Sequence, residues 1–598
     1  MNMKKRILSF GLGLVLAVGS LTGCVGNGGS GSGVKKVNFM FGGDINDAEM
    51  YNLLINTYNS TAGKEQGIEV KGIPKLSNLD AILLQQLPTS NGPDVVALED
   101  TSFKKFTKYL EDLTGKVDSE ILDDFYPDII RRYHYNIQTT TSNSDDPLYS
   151  LPLFNNTTVL YYNKTALEDA GVICISVDEE NLKEFNEGKA KDLNGKTKAD
   201  YEISSVVPAK GFFRSETPFV PAENEIDGSS WYEPDSGEEL IFNDRIPMNW
   251  DEIEDLAMIC TEEFNPNSST KYGYYTQWWF NYGWSVGGDC MEDTSGNGDW
   301  TFALAGNIPN YIVQEGKTYK GVYTGTTYNA GDTLDIKDIV NAKSGDKISY
   351  STEKSTNFYY TVNGKKATVR DFSGEIASGV LSELPSTKEA FSRFCYLAGT
   401  GGLNVSPSPG DLTDGSATAY FTSGHLALMV ERVSNLKAVE KRMKDDWGIA
   451  PLPQYKTYTE PDNPQCDTVA IEGKVATHSH GISAAVNTKS KVKDEAYKFV
   501  EWIATEGQKV LAENGYVSAR KSDEKLVLEK LPYSNPQIIV DSVKNSSPGD
   551  WWYMPDKNWI DTWSVPLNNE VRYGNMSFDD FIYAYIETTN ERLAEYKQ

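Results

Sequence analysis

Between Lys36 and Leu110 the chain alternates short apolar runs with stretches of helical spacing, and this rhythm restricts the possible folds more than any other feature. Lys36 to Phe41 and Gly67 to Lys71 read as short strands, and Asp94 to Leu98 as a buried strand of the parallel type. Between them, Met50, Leu53, Leu54 and Tyr58 recur at helical spacing, and so do Leu79, Ile82, Leu83 and Leu87 within Asn78 to Leu87. Asn91-Gly92-Pro93 breaks the second helix, and Phe103 to Leu110 starts a third. A βαβαβ order of this kind predicts a doubly wound α/β lobe. Ligands of such lobes sit beyond the carboxyl ends of the strands, which singles out the loops Gly42 to Asp47 and Glu99 to Ser102.

A chain of 598 residues is too long for one compact core and is expected to form two or more lobes. Its 85 acidic and 56 basic residues give a formal net charge of -29. That balance sets it against nucleic-acid phosphates, and against an anionic membrane surface unless a separate anchor holds it there. Cys174, Cys260, Cys290, Cys395 and Cys466 follow the N-terminal region, an odd number that makes no disulfide framework and leaves one or two bridges open. No CxxC pair offers a structural zinc site.

The N-terminus carries Lys4, Lys5 and Arg6 and then the apolar run Ile7 to Val18. That run has the length of a signal-peptide core and falls short of the about 20 residues a membrane-spanning helix needs. Leu21-Thr22-Gly23-Cys24 follows and resembles the lipobox of bacterial lipoproteins. The resemblance implies cleavage after residue 23 and acylation, of the palmitate type, on Cys24. Residues 24–34, Gly/Ser-rich, would then be a flexible tether. The alternative is an ordinary secretory signal with a cysteine nearby. No later apolar run approaches spanning length.

Six elements, ordered along nearly the whole chain, resemble the solute-binding proteins of bacterial ABC importers, in the carbohydrate-binding group that includes maltose-binding protein. They are Asn91-Gly92-Pro93-Asp94-Val95-Val96; Leu151-Pro152 with Val159-Leu160-Tyr161-Tyr162-Asn163-Lys164; Ile246-Pro247-Met248-Asn249-Trp250-Asp251-Glu252; Ala419-Tyr420-Phe421 through Gly424 to Met429; Gly448-Ile449-Ala450-Pro451-Leu452-Pro453; and Ala496-Tyr497 to Glu506-Gly507. Each alone is weak, and the order gives them weight. The resemblance implies an α/β, two-lobed periplasmic-binding-protein-like fold of type II, each lobe a doubly wound sheet with helices. It places 35–155 and 481–530 in the N-lobe and 156–480 and 531–598 in the C-lobe. Crossings are expected near Asn155 to Leu160, near Gly481 to Val486 and around Pro532.

The chain departs from the family in size. Insertions are expected near 176–240, which is charged and polar, and near 301–370. In the latter, Ile348 to Thr352 and Asn357 to Val362 read as strands, Asn363-Gly364 as a hairpin turn and Ala367 to Arg370 as its return strand. Tyr319 to Tyr328 is a further strand candidate. The whole reads as a β-rich insertion in the second lobe, either decoration or a wall of the cleft.

A sugar offers hydroxyl edges and apolar C–H faces, so its site combines aromatic plates with carboxylates, amides and arginine. The run Tyr274 to Trp284 supplies such groups where the family places a ligand-contacting loop, and Gln277, Trp278, Trp279 and Trp284 are its candidates. By the same resemblance Asn156 falls just before the first crossing, Glu431 and Arg432 at a strand exit, and Trp559 and Trp563 in the last aromatic contact region. Asp44, Glu99 and Asp100 follow strands, where a carboxylate accepts sugar hydroxyls or caps a helix. Each aromatic has a plain alternative as core packing. His478-Ser479-His480 supplies only two metal ligands, and no phosphate-binding loop occurs. The reading calls for no metal, no cofactor and no catalytic residue. It expects a monomeric, lipid-anchored receptor on the outer face of the cell membrane of a Gram-positive bacterium, passing a sugar or oligosaccharide to ABC permease subunits. The alternative is a surface glycan-binding lipoprotein or a secreted glycoside hydrolase, whose paired carboxylates would flank the scissile bond.

Overall fold

The computed structural model describes residues 33–596 except 44, 76, 217–236, 277–278, 296, 353–357, 400–401, 409–411, 413–415, 534 and 549–552. Cys24 and the leader before it, Asp44, Gln277 and Trp278 lie outside the described residues.

The first segment folds as the rhythm predicts: β1 (Lys35–Phe41), α1 (Ile45–Ser60), β2 (Ile68–Pro74), α2 (Leu79–Gln86), β3 (Val95–Glu99) and α3 (Asp100–Phe106). The periodic positions Met50, Leu54 and Tyr58 of α1 are buried in the first core. The break after α2 needs glycine, since a Cβ on Gly92 would stand 2.5 Å from the Gln86 carbonyl oxygen.

Next comes the long strand β4 (Leu151–Asn163), then α4 (Trp250–Ile259), β5 (Tyr272–Tyr275), β6 (Leu426–Arg432), α5 (Leu436–Arg442), β7 (Trp447–Ala450), β8 (Thr477–Val486), β9 (Ser546–Pro548) and α6 (Asn558–Pro566). Nine strands join in one sheet with the path β2-β1-β3-β8-β4-β6-β5; β7 adds to β4, and β9 to β8. β1 is parallel to β2 and β3, as a doubly wound lobe requires.

β4 belongs to both lobes. Leu151 to Thr157 pair with β8 in the first lobe, while Thr158 to Asn163 pair with β6 and β7 in the second. The antiparallel β8 runs back into the first lobe, where Ile482 to Val486 face Glu99 to Val95. Later the chain passes through Leu531 to Asn535, and Asn535 Nδ2 donates to the Asp244 carbonyl of the second lobe. Two large cores result, one under α1, the other around α4, Trp279, Trp559 and Trp563.

Both predicted insertions fold around small cores of their own. The first holds Val172–Ile175, Phe212–Arg214 and Leu240–Asn243 as a three-stranded sheet over Leu182, Phe185, Val207 and Phe213, an apolar cluster that its polar composition conceals. The second runs to Leu384 and packs Tyr311, Tyr319, Tyr328, Ile339, Tyr360 and Phe372 together. Its hairpin pairs Ile348–Thr352 with Phe358–Val362. The return strand is Lys365–Lys366 instead of Ala367 to Arg370, because Asn363 and Gly364, at φ 52° and 76°, form a two-residue turn that returns the chain at once. Tyr319 to Tyr328 is not one strand. Thr318–Lys320 and Thr327–Asn329 pair antiparallel about a turn at Gly325, φ 72°.

Candidate functional site

The carboxyl ends of β3 and β6 meet at the seam between the lobes, over the crossing strands. Asp100, the first residue of α3, lies there almost fully buried. Its Oδ2 accepts from Arg132 Nη1 at 2.9 Å and from the Gly481 backbone N–H at 2.8 Å. Arg132 Nη2 donates in turn to Ser479 Oγ at 2.7 Å. This carboxylate ties the crossing strand β8 to the first lobe. Burial alone would raise its carboxyl; the adjacent His480 ring, the charge of Arg132 and the Gly481 N–H outweigh burial and hold it below the ordinary value. Only glycine fits at 481, since a Cβ would stand 2.2 Å from the hydroxyl oxygen of the buried Tyr133.

His480 joins this knot to the second lobe. Arg432 Nη2, at the end of β6, lies 3.0 Å from His480 Nε2, and His480 Nδ1 lies 3.9 Å from Asp100 Oδ1. Arginine can only donate, so Nε2 accepts and the proton of the neutral ring sits on Nδ1, facing Asp100. Burial and the charges of Arg432 and Arg132 push His480 below the ordinary imidazole value, against the pull of Asp100. His478 stacks on Phe280, ring centroids 4.6 Å apart, and leans on Trp284. Among the described residues no group of three His, Cys, Asp or Glu side chains could hold a metal, and no helix is long and apolar enough to cross a membrane.

Glu99 stays open to solvent beside this knot. The protein crowding it and the neighbouring Asp100 raise its carboxyl, while Thr101 Oγ1 donates to it at 3.3 Å. Asn156, on the crossing strand, bonds Ser434 in both directions: Nδ2 donates to Ser434 Oγ at 2.9 Å, and Oδ1 accepts from Ser434 N–H at 3.1 Å. Glu431 Oε1 accepts the Arg432 N–H at 2.8 Å, and Tyr161 donates to the Arg432 carbonyl at 2.7 Å, so the strand exit is held from both sides.

The structure thus brings Glu99, Asp100, Asn156, Glu431 and Arg432 to one seam. Three of the aromatic candidates sit in the second core. Trp279 is 1% exposed, packs on Phe391 and lies so close to Gly283 that a Cβ there would stand 1.6 Å from the indole. Trp559 and Trp563, one helical turn apart on α6, share the second core with Phe302 and Phe391. None of the three presents a face to the seam. Trp284, 8% exposed, covers His478. Residues not foreseen at the seam are Arg132, Ser434, His480 and Trp300. Trp300 Nε1 donates to the Thr140 carbonyl at 3.2 Å, so a hairpin next to the large insertion touches the first lobe.

Two cavities flank the seam. One, of about 330 Å³, lies between Thr141 to Asn143 of the first lobe and Asp289, Glu292, Asp293, Trp300, Lys337 and Tyr553. The other, of about 350 Å³, lies where β4 crosses. Its walls are Glu49, Met50 and Tyr516 of the first lobe, Phe154 to Asn156 of β4, the α5 segment and Tyr533.

Residues 63–257 match the family model described as bacterial extracellular solute-binding protein. No curated protein sequence matches the chain. Among solved structures, the cyclic alpha-maltosyl-1,6-maltose binding protein of Arthrobacter globiformis superposes with a TM-score of 0.54 at 15% identity, over 94% of this chain and 100% of that one. An ABC substrate-binding protein of Listeria monocytogenes, in complex with cycloalternan, gives 0.51 at 12% identity over 94% and 99%. The GacH receptor of Streptomyces glaucescens, solved unliganded and with acarbose, gives 0.51 at 13% identity over 94% and 98%. These likenesses show the two-lobed fold.

Proposed function

We propose, on the match of residues 63–257 to that family model and on the two-lobed fold, that the chain is the substrate-binding component of an ABC importer for a sugar or oligosaccharide. The observation that carries this reading is the seam itself. Carboxylates, amides and arginine converge from two lobes onto strands that cross between them; Asn156–Ser434 and Arg432–His480 bond beside the crossings, and the lobes touch at Trp300–Thr140. Saccharides occupy the similarly folded proteins of Listeria and Streptomyces. The proposed lobes are 35–155 with 481–530 and 156–480 with 531–598. Ligand enters between them, and the contacts across the seam form as they close by hinge motion. Glu99 and Asn156 accept and donate hydrogen bonds to hydroxyls there, with Asp44, Gln277 and Trp278 proposed beside them. Binding, and no bond cleavage, is the proposed activity. Acylation at Cys24 holds the receptor on the outer face of the membrane, where its closed form docks on the permease subunits as a monomer.

A thermal-shift screen over mono- and oligosaccharides tests the reading. A true ligand at a hundred times its dissociation constant stabilises the folded state by about 2.7 kcal/mol. Released reducing sugar, or no saccharide that raises the melting temperature, would overturn it.

A further inference from the structure

The cavity at the β4 crossing differs in charge from the molecule around it. Lys437, Lys441 and Arg442 of α5 line it, against the single carboxylate of Glu49. Among the described residues none of the three cations forms a salt bridge, and Lys437 lies 4.4 Å from the centre of the Tyr516 ring instead. Cations in the last turn of a helix complement its dipole, which accounts for the position of Lys441 and Arg442 but not of Lys437, in the first turn of α5. It does not account for their lack of acidic partners in a chain with 85 acidic and 56 basic residues, where a random neighbourhood is acidic. The same cavity presents the rings of Phe154, Tyr516 and Tyr533. Asn155, 1% exposed, borders it, and its Oδ1 is buried without a hydrogen-bond partner, an acceptor suited to a hydroxyl.

We propose that this cavity receives an oxyanion-bearing saccharide, a glycan carrying carboxylate or sulfate groups, and so sets the class of the cargo. Lys441 and Arg442 pair with the anion, and the tyrosine rings cover pyranose faces. The walls come from both lobes, so an anion held there favours the closed form. The inference rests on the transport reading above. Its shared chemistry is an oxyanion, which a free inorganic ion also supplies, and the test separates the two.

The full chain is titrated in a calorimeter at low ionic strength with trigalacturonate, with maltotriose as a neutral trisaccharide and with sulfate alone. Trigalacturonate should bind at least about tenfold more tightly than maltotriose, with an advantage that shrinks as salt is added. The variant Lys441→Gln/Arg442→Gln, changed only at exposed positions, should lose about tenfold for trigalacturonate and keep the melting temperature of the free protein. Lys437→Gln should weaken trigalacturonate in the same direction. Equal binding of the neutral and acidic sugars, or acidic-sugar binding that the charge variants leave intact, overturns this inference and leaves sugar transport standing. Sulfate binding as tightly as trigalacturonate overturns the assignment to a saccharide. A protein that binds neither these sugars nor any other saccharide in the screen loses the transport reading, and this inference with it.

Discussion

Asp100 and Arg132 pair with both side chains at or below 2% exposure, and a buried pair behaves unlike a surface one. Removing one charge leaves the other buried and uncompensated, which costs on the order of 3 kcal/mol or more. Asp100→Asn should therefore lower the unfolding free energy by that much, seen as a lower denaturant midpoint at an unchanged slope; a loss under about 1 kcal/mol would mean that Arg132 finds another partner. The buried tryptophans make a second case. Trp279→Ala and Trp563→Ala remove fully buried rings, and about 3–5 kcal/mol of stability should go with each. Any loss of ligand binding in them should accompany loss of folding, and a folded variant with wild-type stability and weakened binding would return that ring to the site. Protons supply a third. His480 and His478 are both held below the ordinary imidazole value, His478 well below it, by burial and by the charges around them. The unfolded chain then binds protons first, so their contribution is complete above about pH 6.5 and is lost as the pH falls toward the folded values. Asp100 is lowered too, but its contribution is lost only below about pH 3.9. From pH 7 to pH 5 the melting temperature of His480→Gln should fall less, or rise more, than that of the wild type, a difference that cancels the opposite contribution of Glu292 and Asp255, whose carboxyls burial raises to about 7 and about 6. An unchanged slope in the variant would place the responsible protons elsewhere.

At the scale of elements, the hinge depends on how closely β8 passes the first lobe. Gly481→Ala would press a methyl group against buried Tyr133 and against Arg132, whose Nη1 lies 3.0 Å from the Cβ position. Overpacking of this kind costs about 1–3 kcal/mol, and here it also displaces the backbone N–H that bonds Asp100. The expected result is a lower melting temperature together with weaker ligand binding; wild-type values for both would mean that the hinge tolerates the added atom. The order of strands and helices up to α3 was legible because each segment repeats its apolar residues at one period over several turns or pairs. The tether between Asp100 and Arg132 was not, because nothing local links residues a whole segment apart. His478 and His480 stood out as a motif, yet their partners Phe280 and Arg432 come from distant strands and loops. The aromatics of α6 carry two readings because core rings and ligand-stacking rings share one composition. Their signal was spacing: Trp559, Ile560 and Trp563 lie on one helical face, the pattern of a core. The Tyr/Thr-rich stretch 319–328 looked like one strand because Gly321 and Gly325, which turn it, were read as part of the run.

For the whole molecule, two lobes joined by crossing strands and touching across a polar seam imply two arrangements of similar energy. The contact between them at Trp300–Thr140 is a single hydrogen-bonded patch, worth about 1 kcal/mol net. Ligand bound in the seam should favour the closed arrangement, and small-angle scattering should show a smaller radius of gyration at saturation than without ligand. No change would count against hinge closure. Where this happens depends on the N-terminus. Lys4, Lys5 and Arg6 are the only charged residues before Lys35, so the body is more acidic than the net charge of -29, and an anionic membrane surface repels it; the proposed work beside a permease then needs another anchor. No helix among the described residues is long and apolar enough to cross a membrane, and the proposed acyl group on Cys24 is the anchor the sequence offers. Cys24→Ala should therefore leave the leader uncleaved or send the protein into the medium, while sugar binding by the released body stays as in the wild type. Cell fractionation with the mass of the N-terminal peptide reads both outcomes. A Cys24→Ala protein that is still cleaved after Gly23 and still pelleted with membranes would show that another element holds it there.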